Sequence, residues 1–414
     1  MEILRRILMF TEMQIAECLS AIIYLDSLTL GPLSEVIERM KNTEIEWPCR
    51  MNRQEWMAVL DRASKDEVVN NMQVVEIEYH ENGHKAALFS LQNKAYVIFR
   101  GTGSDFEWED NAIGMTASDT AQQKIAAGFV ARLSNQYAKT TVAGHSKGGN
   151  KAQYAAITLP KHLVNQAFSF DGQGFSLAFL SKYADALEER KNVITLISER
   201  RGFVHALGIP LAETKYFAGR RGDAREGRPH GDTLAYFHCP DALWDASGSF
   251  GHISEHNPIP KIMNSIMSHF LKTKHHSKYV ESTAKGLVRL MCHSKKLEES
   301  AAAIAQLMLV FMELLATDKS FRKQVVSMIH TESDVLLASL DNAYGKSGKL
   351  SALGRKTALK LGMKLAKDRA ARLHFVEFGR FVGKLKSHKI HDHLVEGFGI
   401  ARRKMIEEGG VQKM

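Results

Sequence analysis

The run Gly144-His145-Ser146-Lys147-Gly148-Gly149 sets a serine between glycines two positions away on either side. A serine hydroxyl is a poor nucleophile until a neighbouring base takes its proton and donors hold the oxyanion that forms. That chemistry is served by a serine on a tight strand-to-helix turn, where small residues at the flanking positions let two backbones approach. The bare pattern arises by chance in roughly one chain in seven of this length, so the surroundings decide. Residues 140–143 read as a short apolar strand and 148–158 as a helix, which is the required setting. The competing reading is a glycine-rich loop with an incidental serine.

A second run, Phe99-Arg100-Gly101-Thr102-Gly103-Ser104, leaves the end of an apolar stretch at 94–99. A loop at the carboxyl end of a neighbouring parallel strand is where a remote oxyanion donor should arise. Thr102 is the candidate there, through its amide and its hydroxyl, and the Lys147 amide is the second donor. A base and an acid must follow in the order serine, acid, histidine. The histidines available before the last third of the chain are His162, His205, His230, His238, His252 and His256. His162 falls at a helix end before a strand, the wrong place for a base. Two carboxylates stand at strand ends beyond the serine, Asp171 and Glu199, and either is chemically adequate to orient an imidazole. Asp171 also reads as a cap for the helix after it.

These residues need a scaffold. Residues 12–41 read as two helices separated by a turn at Gly31-Pro32, and 53–71 as another helix. Residues 74–80 and 85–92 pair as a hairpin around Glu81-Asn82-Gly83. From residue 94 onward, short apolar runs at 94–99, 140–143, 166–170 and 193–198 alternate with helical stretches at 119–135, 148–158 and 176–190. That rhythm indicates βαβ units and a mainly parallel sheet, with 213–218 as one further strand. After about residue 255 strand signals vanish, and 258–271, 280–292, 297–316, 319–341 and 351–386 read as helices. The expected domains are therefore 1–254 and 255–414.

Charge divides the chain at the same place. Residues 255–414 hold 28 Lys and Arg against 15 Asp and Glu, whereas residues 1–254 hold 27 against 31. A basic helical region of this kind, densest at 346–389, suits contact with an anionic membrane surface or a partner protein, or is simply solvated. Nucleic acid is not expected, since aromatic residues are sparse among the charges. The four cysteines show no CxxC spacing, and reduced thiols are expected. His275-His276 and His391-Asp392-His393 lack further ligands at a metal-binding spacing, so no metal or other cofactor is expected. The first 30 residues do not form a signal peptide, because Glu12, Glu17 and Asp26 interrupt the apolar stretch, and a cytoplasmic location is the expectation.

Phe-Arg-Gly-Thr followed some 40 residues later by Gly-His-Ser-x-Gly-Gly resembles the class 3 (fungal triacylglycerol) lipases, as does the acidic stretch Trp108-Glu109-Asp110. Gly-His-Ser-Lys-Gly-Gly-Asn150, with Phe170-Asp171-Gly172-Gln173-Gly174-Phe175 beyond it, is closer to a bacterial branch of lipase-like hydrolases. The resemblance covers roughly residues 15–250. It implies an α/β-hydrolase (lipase-like) fold, a Ser-His-Asp triad on Ser146, ester or acyl-lipid substrates and no metal. It also implies that the base is His238, which stands near Asp241 and Trp244, with His230 and His252 as alternatives. The family's acid position matches Gly202, so the acid must come from elsewhere, with Asp171 the first choice and Glu199 the second. An altered acid position keeps a second reading open: an inactive hydrolase-fold platform whose basic helices bind a partner or an anionic membrane. A third is a secreted effector lipase.

Overall fold

The computed structural model describes residues 10–219 apart from 45, 46 and 50, then 237–245, 248–273, 283–286, 310–315 and 317–331, with isolated positions at 307, 364 and 367. The chain divides into two compact units, Met1–Ala224 with Leu234–Glu255, and Arg225–Thr233 with His256–Met414. His230, the basic stretch 346–389 apart from two isolated positions, and the histidines at 275, 276, 391 and 393 lie outside the described residues. So do most of the helices expected at 280–292, 297–316 and 351–386.

The first unit is a mixed sheet flanked by helices. Its chain order is α1 (Glu12–Ile22), β1 (Gly31–Pro32), α2 (Leu33–Asn42), α3 (Arg53–Lys65), β2 (Gln73–Tyr79), β3 (Lys85–Leu91), β4 (Lys94–Phe99), α4 (Asp105–Gly114) and α5 (Ala121–Leu133). There follow β5 (Lys139–His145), α6 (Lys147–Thr158), β6 (Gln166–Phe170), α7 (Leu177–Lys182), α8 (Ala184–Arg190), β7 (Ile194–Glu199), β8 (Thr214–Ala218) and β9 (His252–Ile253). The nine strands lie side by side in sequence order.

The strands β4 to β8 run parallel, and both margins are antiparallel. Among the described residues parallel pairing is thus half of the total and does not dominate as the sequence rhythm suggested. The links explain this. Gln92 and Asn93 alone join β3 to β4, and so short a link permits only a hairpin, whereas each parallel pair has a long connection. Helix 53–71 ends at Lys65, because the Asp66 side chain accepts from the Val69 amide and caps a separate turn at Glu67–Asn70. Helix 176–190 is likewise broken at Tyr183.

Alternation along the strands builds two cores. Tyr96, Ile98, Ala143, Phe168 and Phe170 face Ile15, Leu19, Ile22, Val36, Trp56 and Val59 on one side. Val97, Phe99, Val142 and Ala167 face Ala126, Val130, Ala152, Ala155 and Phe179 on the other. Strands buried on both faces need near-continuous apolar sequence, which is what β4 and β6 carry. Helix starts are fixed locally: Thr11, Asn52 and Thr120 each form a capping box with Gln14, Glu55 and Gln123.

In the second unit the described elements are helical. Pro258–Thr273 (α9) packs with Lys319–Thr331 (α10), and His269 Nε2 lies 3.1 Å from Glu313 Oε1. Among the described residues no helix is long and apolar enough to cross a membrane.

Candidate active site

Strand β5 ends at His145, and α6 starts at Lys147. Ser146 alone makes the turn, at φ 59° and ψ −126°. A residue with a side chain is strained there, and such strain persists only where the surroundings enforce it. They do so by crowding: a Cβ on Gly148 would overlap the Phe99 carbonyl oxygen, and one on Gly144 would overlap the Gly148 backbone. The two glycines are required because β4, β5 and the start of α6 converge at this point. The Ser146 amide donates to the Phe170 carbonyl at 2.9 Å, tying the turn to β6 as well.

Ser146 Oγ lies 2.9 Å from His238 Nε2, and His238 Nδ1 lies 2.5 Å from Asp171 Oδ2. Burial alone would raise the Asp171 pKa, but the imidazoles of His238 and His205 hold it well below the ordinary carboxylate range. An ionised carboxylate only accepts, so the proton of His238 sits on Nδ1 and the Nε2 lone pair faces the serine hydroxyl. That is the tautomer a general base requires.

The neighbourhood of Gly202 explains where the Asp171 carboxylate stands. A Cβ on Gly202 would fall 2.8 Å from Asp171 Oδ2 and 2.6 Å from Ser198 Oγ. Asp171, at the end of β6 with φ 43°, fills the space that a side chain at 202 would need. Glu199 points elsewhere: its Oε2 accepts from the Arg201 amide at 2.5 Å, and burial pushes its pKa up to about 7. The geometry therefore brings Asp171, and not Glu199, to His238.

The loop holding His238 is pinned from below. The Trp244 indole N–H donates to the buried Glu17 carboxylate on α1, and the Arg62 guanidinium lies 4.6 Å from the indole centroid. The Cys239 thiol donates to the Cys49 carbonyl at 3.1 Å. The His145 ring lies 4.5 Å from that of His238, and its Nδ1 is 2.8 Å from the Tyr24 hydroxyl. Burial, and then the neighbouring His238, push the His145 pKa well down, so this ring is a neutral wall beside His238.

The Thr102 loop passes directly beside the serine, since a Cβ on Gly101 would fall 3.0 Å from Ser146 Cβ. Thr102 Oγ1 accepts from Asn111 Nδ2 at 2.9 Å, Gln173 donates to the Asn111 carbonyl at 2.8 Å, and Asn150 donates to the Gln173 carbonyl at 3.1 Å. The Asn150 and Asp-Gly-Gln-Gly parts of the motif thus brace this loop. The Lys147 amide opens α6, while its side chain runs away to Asp110 at 2.6 Å. One turn on, Lys151 pairs with Glu107 at 2.7 Å, and both side chains are fully buried. Helix α4, which follows the Thr102 loop, is therefore clamped to α6. The clamp has a sequence signal, carboxylates three apart and lysines four apart, that only the fold pairs. His205, one of the histidines considered as a base, instead meets the acid candidate: its Nδ1 lies 2.7 Å from Asp171 Oδ1.

Of the other histidines, His252 is on the edge strand β9, exposed and paired with Ala218, and His162 is in a short turn after α6. Among the described residues no group of three or more His, Cys, Asp and Glu side chains is placed to hold a metal ion.

Comparison with known proteins places this site in context. Residues 57–199, about a third of the chain, match the Mbeg1-like family model. The first unit is similar to that family. The matched stretch holds the Thr102 loop, Ser146, Asp171 and Glu199, and stops short of His238. A solved fungal lipase–inhibitor complex, described as a model for interfacial activation in lipases, is similar at 15% identity over 52% of this chain and 80% of that one, with a TM-score of 0.33. No curated protein matches the chain.

Proposed function

We propose that the first unit is a serine hydrolase that cleaves carboxylic esters through an acyl-enzyme on Ser146. What carries the reading is the continuous line from Ser146 Oγ to His238 Nε2 at 2.9 Å and from His238 Nδ1 to Asp171 Oδ2 at 2.5 Å. His238 takes the serine proton as Oγ attacks the ester carbonyl. The amides of Thr102 and Lys147 hold the oxyanion, and Asp171 stabilises the imidazolium. Collapse breaks the ester bond, and His238 gives its proton to the departing alcohol. Water then repeats the sequence on the acyl-enzyme, releasing the acid and restoring the serine. Acyl lipids are the proposed substrate class on the strength of the motif resemblance, and the basic segment at 346–389 is proposed as a contact for an anionic membrane or a partner protein.

The test is labelling of the full-length protein with a fluorophosphonate probe, beside Ser146→Ala and His238→Ala. Labelling lost in both variants supports the reading. Labelling that survives His238→Ala moves the base to another histidine. An unlabelled wild type, under conditions where a control lipase reacts, favours the inactive platform.

A further inference from the structure

Asp171 is approached by two histidines. Its Oδ2 faces His238, while its Oδ1 receives the main-chain N–H of His205 at 3.1 Å and the Ser198 hydroxyl at 3.1 Å, with His205 Nδ1 at 2.7 Å. The carboxylate accepts, so His205 carries its proton on Nδ1 as His238 does. His205 is buried in the turn Val204–Ala206 that joins β7 to β8, and its Nε2 lies 3.4 Å from the Tyr216 hydroxyl on β8. The carboxylate thus links the nucleophile's base to a second imidazole anchored on the next strand.

This arrangement follows from where the acid starts. Asp171 leaves β6, and its side chain crosses the end of β7 through the space kept open by Gly202. A carboxylate buried in that position needs donors on both oxygens, because an unpaired buried charge is strongly destabilising. His238 satisfies one oxygen only. We propose that His205 is a positioning residue of the hydrolytic site: its side-chain and main-chain N–H groups hold Oδ1 of Asp171 so that Oδ2 stays aimed at His238. The inference rests on the serine-hydrolase reading and adds a second function for the same bonds. A donor on Oδ1 disperses the negative charge of Asp171, which limits how strongly that charge favours the protonated form of His238. The other titratable groups around the carboxylate are His145 on β5, Glu199 on β7 and Tyr216 on β8, and all remain unchanged in the variants below.

The experiment compares His205→Ala with His205→Asn, whose side-chain amide can place an N–H where Nδ1–H stands. Loss of the donor in His205→Ala is expected to cut kcat for a chromogenic ester by about tenfold or more with little change in KM. It also moves the acid limb of the kcat profile to higher pH by about half a unit or more. His205→Asn recovers the acid limb and most of kcat. The second readout needs no turnover: in a Ser146→Ala background, NMR titration of 13Cε1-labelled His238 should show the same upward shift in His205→Ala and its reversal in His205→Asn. A His238 titration that is the same in all three proteins overturns the proposal. So does an equal loss of kcat in both variants, accompanied by equal losses of thermal midpoint, since that marks a merely structural residue. A shift in the NMR titration with no fluorophosphonate labelling of wild type keeps the positioning role and removes the hydrolase reading.

Discussion

Two regions of the first unit bury carboxylates against basic side chains, and they do so in opposite ways. Between α4 and α6, Glu107 meets Lys151 and Asp110 meets Lys147; the Gly103 and Gln122 amides occupy the remaining oxygens, and the Thr120 hydroxyl shares Asp110 Oδ2 with Lys147. Every charge there is neutralised inside the protein. At Asp171 the partners are imidazoles, and the line of bonds ends on Ser146, which is only partly buried, with His238 keeping 18% of its side-chain surface. The first arrangement locks two helices together. In the proposed mechanism the second carries a proton along a line that reaches solvent at one end. The lesson is that a lysine clamp resists change of state, whereas a histidine at near-neutral pH is suited to exchanging its proton.

The largest effects are expected at the serine and its partners. Ser146→Ala and His238→Ala should each lower esterase activity by about 10⁴-fold or more in steady-state assays while leaving the urea midpoint almost unmoved. Asp171→Asn should cost about 10⁴-fold in kcat, by permitting the wrong tautomer of His238. Glu199→Gln, by contrast, should stay within a few-fold of wild type in the same assay, and an equal loss in both variants would reopen the choice of acid. Gly202→Ala puts a methyl group against Asp171 Oδ2 and Ser198 Oγ, and should cost about 100-fold in kcat by displacing the carboxylate.

The clamp should respond in stability. Lys151→Met leaves Glu107 charged and buried, and is expected to destabilise the unit by about 3–5 kcal/mol in urea titration. Glu107→Gln combined with Lys151→Met should recover much of that loss, since no uncompensated charge remains.

The smallest expected effect is a pH dependence at Glu199. Burial raises its folded pKa to about 7, above the ordinary value of 4.5, so the folded state binds this proton more tightly than the unfolded chain does. Its contribution is therefore intact below about pH 4.5 and is lost as the pH rises towards 7. Glu199→Gln should match wild type at pH 4.5 and exceed it by roughly 2–3 kcal/mol at pH 8, measured by denaturant titration. Equal stability of the two proteins at pH 8 would show that Glu199 is not held protonated.

Much of this arrangement is legible along the chain because it is local. The glycines around Ser146, the apolar runs of β4 to β7 and the capping boxes are each decided within a few residues. The apolar runs predict a mainly parallel sheet, but the two-residue link at Gln92-Asn93 permits only a hairpin between β3 and β4. Helix α4 was not anticipated, though Ser104 caps it by accepting from the Glu107 amide at 3.3 Å. Its amphipathic signal is weak because it buries Glu107 and Asp110 in place of apolar residues.

By itself the sequence determined which residues could be a nucleophile and an oxyanion loop, and it narrowed the acid to Asp171 or Glu199. It ranked Asp171 first without showing which of the two meets His238. That choice depends on whether space exists at position 202, and the space is defined by Asp171 and Ser198, which are 31 and 4 residues away in the chain. The second imidazole on Asp171 is likewise a product of packing, since His205 looks like any buried histidine until β6, β7 and β8 are laid side by side. Spacing encodes contacts made within one turn or one strand. Contacts between the ends of adjacent strands are set by register, and register is fixed only when the whole sheet assembles.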